Sequence, residues 1–287
     1  MGLFQRSHHV PVLIAEVIAG LRPAPPQTIL DLTFGQGAYA SALMDAFPTC
    51  AYFGSDQDPT AVSTGRQRFA HQPRLSLYHG DFLEIFRMLP AVFAPDCIVL
   101  DLGISSAQLD DPARGFSFQV DGPLDMRLNP NRGQPAASWL AQTSAADLEK
   151  CLTRFGNVPI AARIARSVCG RYPARTHELK RAVLSALPQM NFNKRQRILS
   201  QVFLAIRIAV NQELEQLTQV LPLAWQRLAS GGMMMVISFH SGEDRIVKQF
   251  MRQRQSGQRL RALKPSAQEI ASNSRCRSAK LRILKKQ

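Results

Sequence analysis

The sequence predicts an α/β protein, a doubly wound parallel sheet built from both ends of the chain with a helical block inserted between them. Three observations carry this reading. Short apolar runs alternate with helical stretches over the first hundred residues, the signature of βαβ units. A helical block follows, punctuated by Pro135, Pro159, Pro173 and Pro188. Then Met233-Met-Met-Val-Ile-Ser-Phe239 returns as a buried-strand pattern after Ser230-Gly-Gly232, so the sheet resumes.

Taken in order, Thr28 to Tyr39 reads as strand, tight loop and helix, with Gly35 and Gly37 in the loop. Backbone amides at the start of a helix suit a nucleotide-like ligand, because glycine lets the main chain approach closely. A lone glycine pair more often marks a simple turn. Asp56 shifts that balance. It ends the next apolar run about 20 residues on, where a carboxylate can accept hydrogen bonds from a ribose diol. Four strands are expected, at Ile29 to Thr33, Ala51 to Asp56, Leu75 to His79 and Cys97 to Asp101. Helices are expected near Tyr39 to Ala46, Pro59 to Ala70 and Glu84 to Leu89, with Asp58 as N-cap before Pro59. Ligands of such sheets sit at the carboxyl ends of strands, so Gly35, Gly37, Asp56 and Asp101 are expected to converge.

Leu102 to Gly133 lacks helical or strand periodicity, yet carries Leu109, Phe116, Phe118, Leu124 and Met126 as apolar anchors. It is therefore expected to be ordered and functional. Arg114 and Arg127 either pair with Asp110, Asp121 or Asp125 to stiffen it or contact a polyanion. The longest helical pattern runs from about Lys194 to Ala229, with Pro222 as the expected kink or break. Asp244 to Arg254 reads as a helix, and Lys280-Leu-Arg-Ile-Leu284 as a closing edge strand. The expected division is 1–109 as the first part of the sheet domain, 110–205 as the inserted helical domain, and 206–287 as the second part with a basic tail.

The charge is the compositional outlier: 35 Lys plus Arg against 21 Asp plus Glu, a net +14. That balance favours a polyanionic partner such as nucleic acid, with the basic segment from Arg252 onward either solvated or contacting phosphates. No apolar run approaches the roughly 18 residues of a spanning helix, and Met1 to His9 lacks a signal-like apolar core, so no membrane partner is expected. The five cysteines are scattered without CxxC spacing, and His8 with His9 is too small a cluster for ligation. No metal site is expected, and a reducing, cytoplasmic setting fits best.

Ten segments together resemble one family, the small-subunit ribosomal RNA cytosine-N4 methyltransferases of the MraW type. They are His9-Val-Pro-Val-Leu13, Asp31-Leu-Thr-Phe-Gly-Gln-Gly37, Asp56-Gln-Asp-Pro59, Asp101-Leu-Gly-Ile-Ser-Ser-Ala-Gln-Leu-Asp110, Arg114-Gly-Phe-Ser-Phe118 and Asp121-Gly-Pro-Leu-Asp-Met-Arg127, with Arg207-Ile-Ala-Val-Asn-Gln-Glu-Leu214, Ser238-Phe-His-Ser241, Glu243-Asp-Arg-Ile-Val-Lys248 and Arg277-Ser-Ala-Lys-Leu-Arg282 following. The run from Asp101 to Arg127 is the most specific. The resemblance implies a class I S-adenosylmethionine-dependent methyltransferase fold with S-adenosylmethionine held by Gly35, Gly37, Ala38 and Tyr39 of the loop, by Asp56, Phe82, Asp101 and Gln108. It further implies methylation of a cytidine in the decoding region, with ribosomal RNA or the small ribosomal subunit as partner. Whether the chain acts as monomer or homodimer stays open.

The chemistry suits those residue types. Asp56 accepts from a diol, Phe82 and Gln108 neighbour a base, and the loop amides take a carboxylate. Asp101 is the candidate to orient the reacting amine by hydrogen bonding. His240 is a second candidate, to hydrogen-bond the base or a phosphate, against an equal reading as a structural histidine. Asn211 is a third, against the commoner role of joining a helix to its neighbour. The chain departs from the family pattern at Ala38 and Tyr39, where glycine and histidine are usual, and at Asn157, Val158, Leu204 and Gly242. Those departures support an alternative class, a ribosome-associated assembly factor that keeps the fold but methylates weakly or not at all.

Overall fold

A computed structural model describes residues 11–254 and 256–287. His8, His9 and the start of the His9 to Leu13 segment lie outside the described residues. The chain forms two compact units, 1–103 with 216–287, and 104–215.

The first unit opens with α1 (Ile14–Leu21), then alternates β1 (Thr28–Asp31), α2 (Ala38–Ala46), β2 (Ala51–Asp56), α3 (Pro59–Arg68), β3 (Leu75–His79), α4 (Phe82–Met88) and β4 (Cys97–Asp101). The four expected strands are all present. Asp58 caps α3 as expected, accepting from Thr60 N–H at 2.9 Å, and Pro59 follows where a missing N–H costs nothing.

The second unit is helical: α5 (Ser106–Asp110), α6 (Ala136–Gln142), α7 (Ala145–Gly156), α8 (Ala161–Cys169), α9 (Thr176–Ala186) and α10 (Phe192–Asn211). Phe116, Leu124 and Met126 are buried in its core with Leu109 and Phe118 packed alongside, so the irregular stretch is ordered by its apolar anchors. Its charges stiffen it too. Arg127 clasps Asp125 through two hydrogen bonds of 2.8 and 2.7 Å, and Arg175 pairs with Asp121 at 2.7 Å. Arg114 also donates to the carbonyls of Arg127 and Leu128, both at 2.9 Å.

The remaining elements are α11 (Glu213–Arg227), β5 (Met233–Ser238), α12 (Ser241–Arg252), β6 (Gly257–Arg259), α13 (Ala267–Ser272) and β7 (Lys280–Lys286). The long helix breaks at Gln212, which sits in the left-handed region at φ 52°, while Pro222 is accommodated inside α11 on its exposed side. The break is bridged by a bidentate Arg207 to Glu213 pair, 2.8 Å on each arm and largely buried. Strand order is β3-β2-β1-β4-β5-β7-β6, with β1 to β5 parallel and β7 antiparallel to both neighbours. The expected edge strand, β7, therefore lies inside the sheet, and β6 forms the edge. The short β6, absent from the sequence reading, has too few residues to leave a periodic pattern.

Both sheet faces are covered. Ile29, Val99, Met233, Met235 and Ile237 pack on one side with α1 and α2, whereas Leu30, Ile98, Met234 and Val236 pack on the other with α4, α11 and α12. A strand buried on both faces reads as a continuous apolar run, which is why β5 is so plain in the sequence. The basic segment after Arg252 is not a solvated tail. Lys280 and Arg282 both bond Asp244 at 2.8 and 2.7 Å, and Lys286 donates to three carbonyls at the end of α11. Burial opposes the Asp244 carboxylate, but the hydrogen bonds from Arg282 and Lys280 outweigh it and hold its pKa below the usual range.

Candidate functional site

The strand order reverses beside β1. The chain runs from β1 outward through β2 to β3, then returns to place β4 on the other flank of β1. Open α/β sheets hold their ligands at the carboxyl ends of the strands flanking such a reversal, here β1 and β4. Gly35, Gly37 and Asp101 arrive there by topology alone.

Gly35 and Gly37 both adopt left-handed backbone, φ 54° and 73°. Glycine is dictated at position 37 twice over, since a Cβ there would meet the Phe69 and Phe34 rings at 2.5 and 2.7 Å. Gly37 is also the N-cap of the nine-residue α2 and offers no side-chain cap. The amides of Ala38, Tyr39 and Ala40 consequently lack intrahelical acceptors, as the first turn of any helix does. Ala38 and Tyr39 enter the site through this main chain. The Tyr39 side chain is committed elsewhere, its ring in the core and its hydroxyl donating to the Val12 carbonyl.

Asp56 closes the loop from below. Its Oδ2 accepts from Gly35 N–H at 2.7 Å and its Oδ1 from Asp58 N–H at 2.8 Å. A carboxylate has about four lone-pair sites, so two remain for a ligand's hydroxyls. Burial pushes its pKa up to about 6, with the two amide bonds pulling it back.

Asp101 ends β4. Its N–H donates to Thr33 Oγ1 at 2.6 Å, which ties the strand end to the β1 loop, but its Oδ1 is buried with no hydrogen-bond partner among the described residues. Burial, then the nearby Asp31 and Glu243 charges, raise its pKa well above the usual carboxylate range. Asp31 differs. It is fully buried yet satisfied by Tyr52 hydroxyl at 2.7 Å and Thr33 N–H at 2.9 Å, with burial raising its pKa to about 6. One acidic group is structural and its neighbour is left open, a separation typical of functional sites.

Phe82 is the first residue of α4, half-buried, presented by an Asp81 to Glu84 capping box. His240 is the N-cap of α12. Its Nδ1 accepts from Gly242 and Glu243 amides at 3.2 and 3.4 Å, so one ring nitrogen is occupied by structure. Its Nε2 lies 3.1 Å from Glu243 Oε1 but without hydrogen-bond alignment. Glu243 is buried and holds the Phe239 and His240 amides at 2.8 and 3.3 Å.

Gln108 and Asn211 belong to the second unit. Gln108 closes a capping box, its side chain accepting from Ser105 N–H at 2.9 Å. Asn211 accepts from Leu128 N–H and donates to Met126 carbonyl, each at 2.7 Å, joining α10 to the irregular stretch. Two residues that sequence reasoning passed over matter here. Thr33 links Asp31 to Asp101, and its position at the end of β1 was the available signal; Glu243 fixes His240, announced only by its place three residues after an N-cap.

The family description that matches residues 6–287 is the MraW methylase family. The chain belongs to that family. Among its curated relatives, the "Ribosomal RNA small subunit methyltransferase H" of Coxiella burnetii (strain CbuG_Q212) is 36% identical over 97% of this chain and 98% of its own. The protein of the same name from Alteromonas mediterranea is 37% identical over 97% of both chains. A crystal structure of SMU.1697c from Streptococcus mutans, in complex with SAH, aligns with 97% of this chain and 100% of its own at a TM-score of 0.49 and 10% identity. With the family established and the doubly wound sheet observed, the first unit has the class I Rossmann-like methyltransferase fold.

Proposed function

We propose that this chain transfers a methyl group from S-adenosylmethionine to ribosomal RNA of the small subunit, at the exocyclic N4 amine of a cytidine in the decoding region. The observation that carries the reading is the pairing, at the strand-order reversal, of a glycine loop with uncapped amides and a strand-end aspartate with a buried unpartnered oxygen. Membership of the family and the relatives' names support ribosomal RNA as the substrate class.

The residues fit the cofactor. The amides of Ala38, Tyr39 and Ala40 at the positive end of α2 would hold its carboxylate, and Gly35 and Gly37 keep side chains out of the way. Asp56, ionised above about pH 6, would accept from the ribose hydroxyls with the oxygen lone pairs that Gly35 and Asp58 leave free. Phe82 would offer an apolar edge to the base. Bound S-adenosylmethionine supplies an electrophilic methyl carbon.

Cytosine N4 is a weak nucleophile because its lone pair is conjugated into the ring, so the protein's main task is alignment. Holding reacting atoms in line is worth up to about 7–11 kcal/mol in the best intramolecular models. Asp101 Oδ1 would accept from the N4 amine and orient its lone pair. No base is needed before attack, since the proton leaves readily once N4 is cationic. Reaching N4 requires an unpaired or flipped cytidine, at a cost of a few kcal/mol when a base must be unstacked. The helical second unit is the part we assign to RNA recognition.

Isothermal titration with S-adenosylmethionine, together with mass spectrometry of ribosomal RNA from cells lacking the gene, tests the reading. Cofactor binding and one missing methylcytidine are expected. Absence of both overturns it in favour of a fold-retaining assembly factor.

A further inference from the structure

Away from the glycine loop, at the other end of the same sheet, Lys248, Arg252, Arg259 and Arg282 line one groove with Met251 and Leu260. Four cations share it with two apolar side chains and no acid among the lining residues. Local structure explains the gathering. Lys248 and Arg252 stand one turn apart on α12, about 6 Å along its axis. Arg259 is the register partner of Leu284 in the antiparallel β6 and β7 pair, so it shares the face on which Leu284 packs beneath α12. Arg282, two residues from Leu284 on β7, lies on that face as well.

Three of the four charges in this groove are not neutralised by neighbours. The acid one helical turn before Lys248 is Asp244, and both its oxygens are already taken, Oδ2 by Lys280 and Oδ1 by Arg282. Lys248, Arg252 and Arg259 are exposed and, among the described residues, have no ion-pair partner. Like charges held this close destabilise the free protein, and low-dielectric walls such as Met251 and Leu260 focus their field outward. A solvated surface would gain from interspersed acids, and this one has none in the groove. Arg282, anchored by Asp244, supplies a fixed fourth charge at the rim.

We propose that this groove binds phosphodiester groups of the RNA, as a contact remote from the glycine loop that anchors the substrate backbone. The partner class rests on the RNA reading above; the groove itself is argued from charge. Its chemistry is that of sequence-independent backbone binding, with guanidinium and ammonium donors and no aromatic platform among the lining residues. A free phosphate or an anionic lipid headgroup would meet the same donors. RNA is favoured because the surplus behind the net charge of +14 is concentrated in residues 151–200 and 251–287, and the second of these segments supplies Arg252, Arg259 and Arg282 to the groove, a clustered footprint of the kind a polyanion needs.

The test is the triple variant K248Q/R252Q/R259Q, which spares Arg282 because its pairing with Asp244 is structural. Filter binding to a single-stranded ribosomal RNA fragment is measured across a salt series, alongside methyl-transfer kinetics, S-adenosylmethionine titration and thermal melting. The log-log salt slope is expected to shrink by about 2, three contacts at roughly 0.7 each. KM for RNA is expected to rise with kcat and cofactor affinity unchanged and melting not lowered. An unaltered salt slope and KM overturn the proposal, whatever the methylation result. So does a variant that binds RNA normally but loses retention on phosphatidylserine vesicles, or one whose only change is weaker competition by inorganic phosphate. Because RNA binding is read without turnover, a failure of the methyltransferase reading would leave this result interpretable.

Discussion

Replacing Asp101 by Asn is expected to make the protein more stable at neutral pH. Asp101 Oδ1 is buried without a partner, and its pKa stands well above the usual carboxylate range because burial and two nearby acids oppose the charge. The folded state therefore holds this proton to higher pH than the unfolded chain, whose Asp titrates near 3.9. Where the native state binds more protons, stability falls as pH rises. The penalty is absent below the unfolded value, grows above it, and is complete once pH passes the folded pKa. Asn has the same shape and no charge, so it escapes the penalty. Burying an unsatisfied neutral polar group costs about 1–3 kcal/mol, a cost Asn keeps, and a charged one costs more, so only that excess is the expected gain above pH 7. Urea unfolding of D101N and the parent from pH 4 to 8 reads the difference. The two curves should coincide near pH 4 and separate upward, because Asp31 and Asp56 titrate in both proteins and largely cancel. A gap that is absent at pH 7.5, or constant with pH, would refute the reasoning. D101A, which removes the acceptor altogether, is expected to lower turnover about 10²-fold, the scale for losing one preorganised hydrogen bond.

Two further outcomes follow from the geometry. Gly37→Ala meets a left-handed backbone, worth about 1–2 kcal/mol, and the Phe34 and Phe69 rings, worth about 1–3 kcal/mol as overpacking. Chemical denaturation should show a loss of roughly 2–5 kcal/mol, and a neutral result would mean the loop has a different conformation. Asn211→Ala leaves Leu128 N–H and Met126 carbonyl without their partner. A cost of about 1–3 kcal/mol is expected in urea unfolding, with faster hydrogen exchange at Leu128; unchanged exchange would remove Asn211 from its role as a joint.

Particular residues show what was legible. The parallel strands were plain because both their faces are buried, as in β4 and β5, where every or nearly every residue is apolar. Asp58 before Pro59 announced α3, since capping is a contact between residues two apart. Pro135, Pro159, Pro173 and Pro188 separated the helices of the second unit as expected. Pro222 did not break α11, because its exposed position lets the helix absorb the lost donor, while the break at Gln212 is stabilised by the Arg207 to Glu213 pair across it. The basic C-terminal segment looked like a tail because its cations find their partners, Asp244 and the end of α11, some 36 to 61 residues away.

The sequence by itself determined the strand-loop-helix at Gly35 and Gly37, the acidic strand ends Asp56 and Asp101, and the surplus of positive charge. Those are properties of short windows and of sums, set by local backbone geometry and by counting. Only the tertiary structure decided which oxygens are spent. It gives Asp56 to the Gly35 and Asp58 amides, His240 Nδ1 to the cap of α12 and the Tyr39 hydroxyl to Val12, while leaving Asp101 Oδ1 unpartnered. The Asp58 to Asp56 bond and the cap at His240 are local, but the Asp56 to Gly35 and Tyr39 to Val12 bonds join residues 21 and 27 apart, and the fold, not sequence spacing, puts those in place.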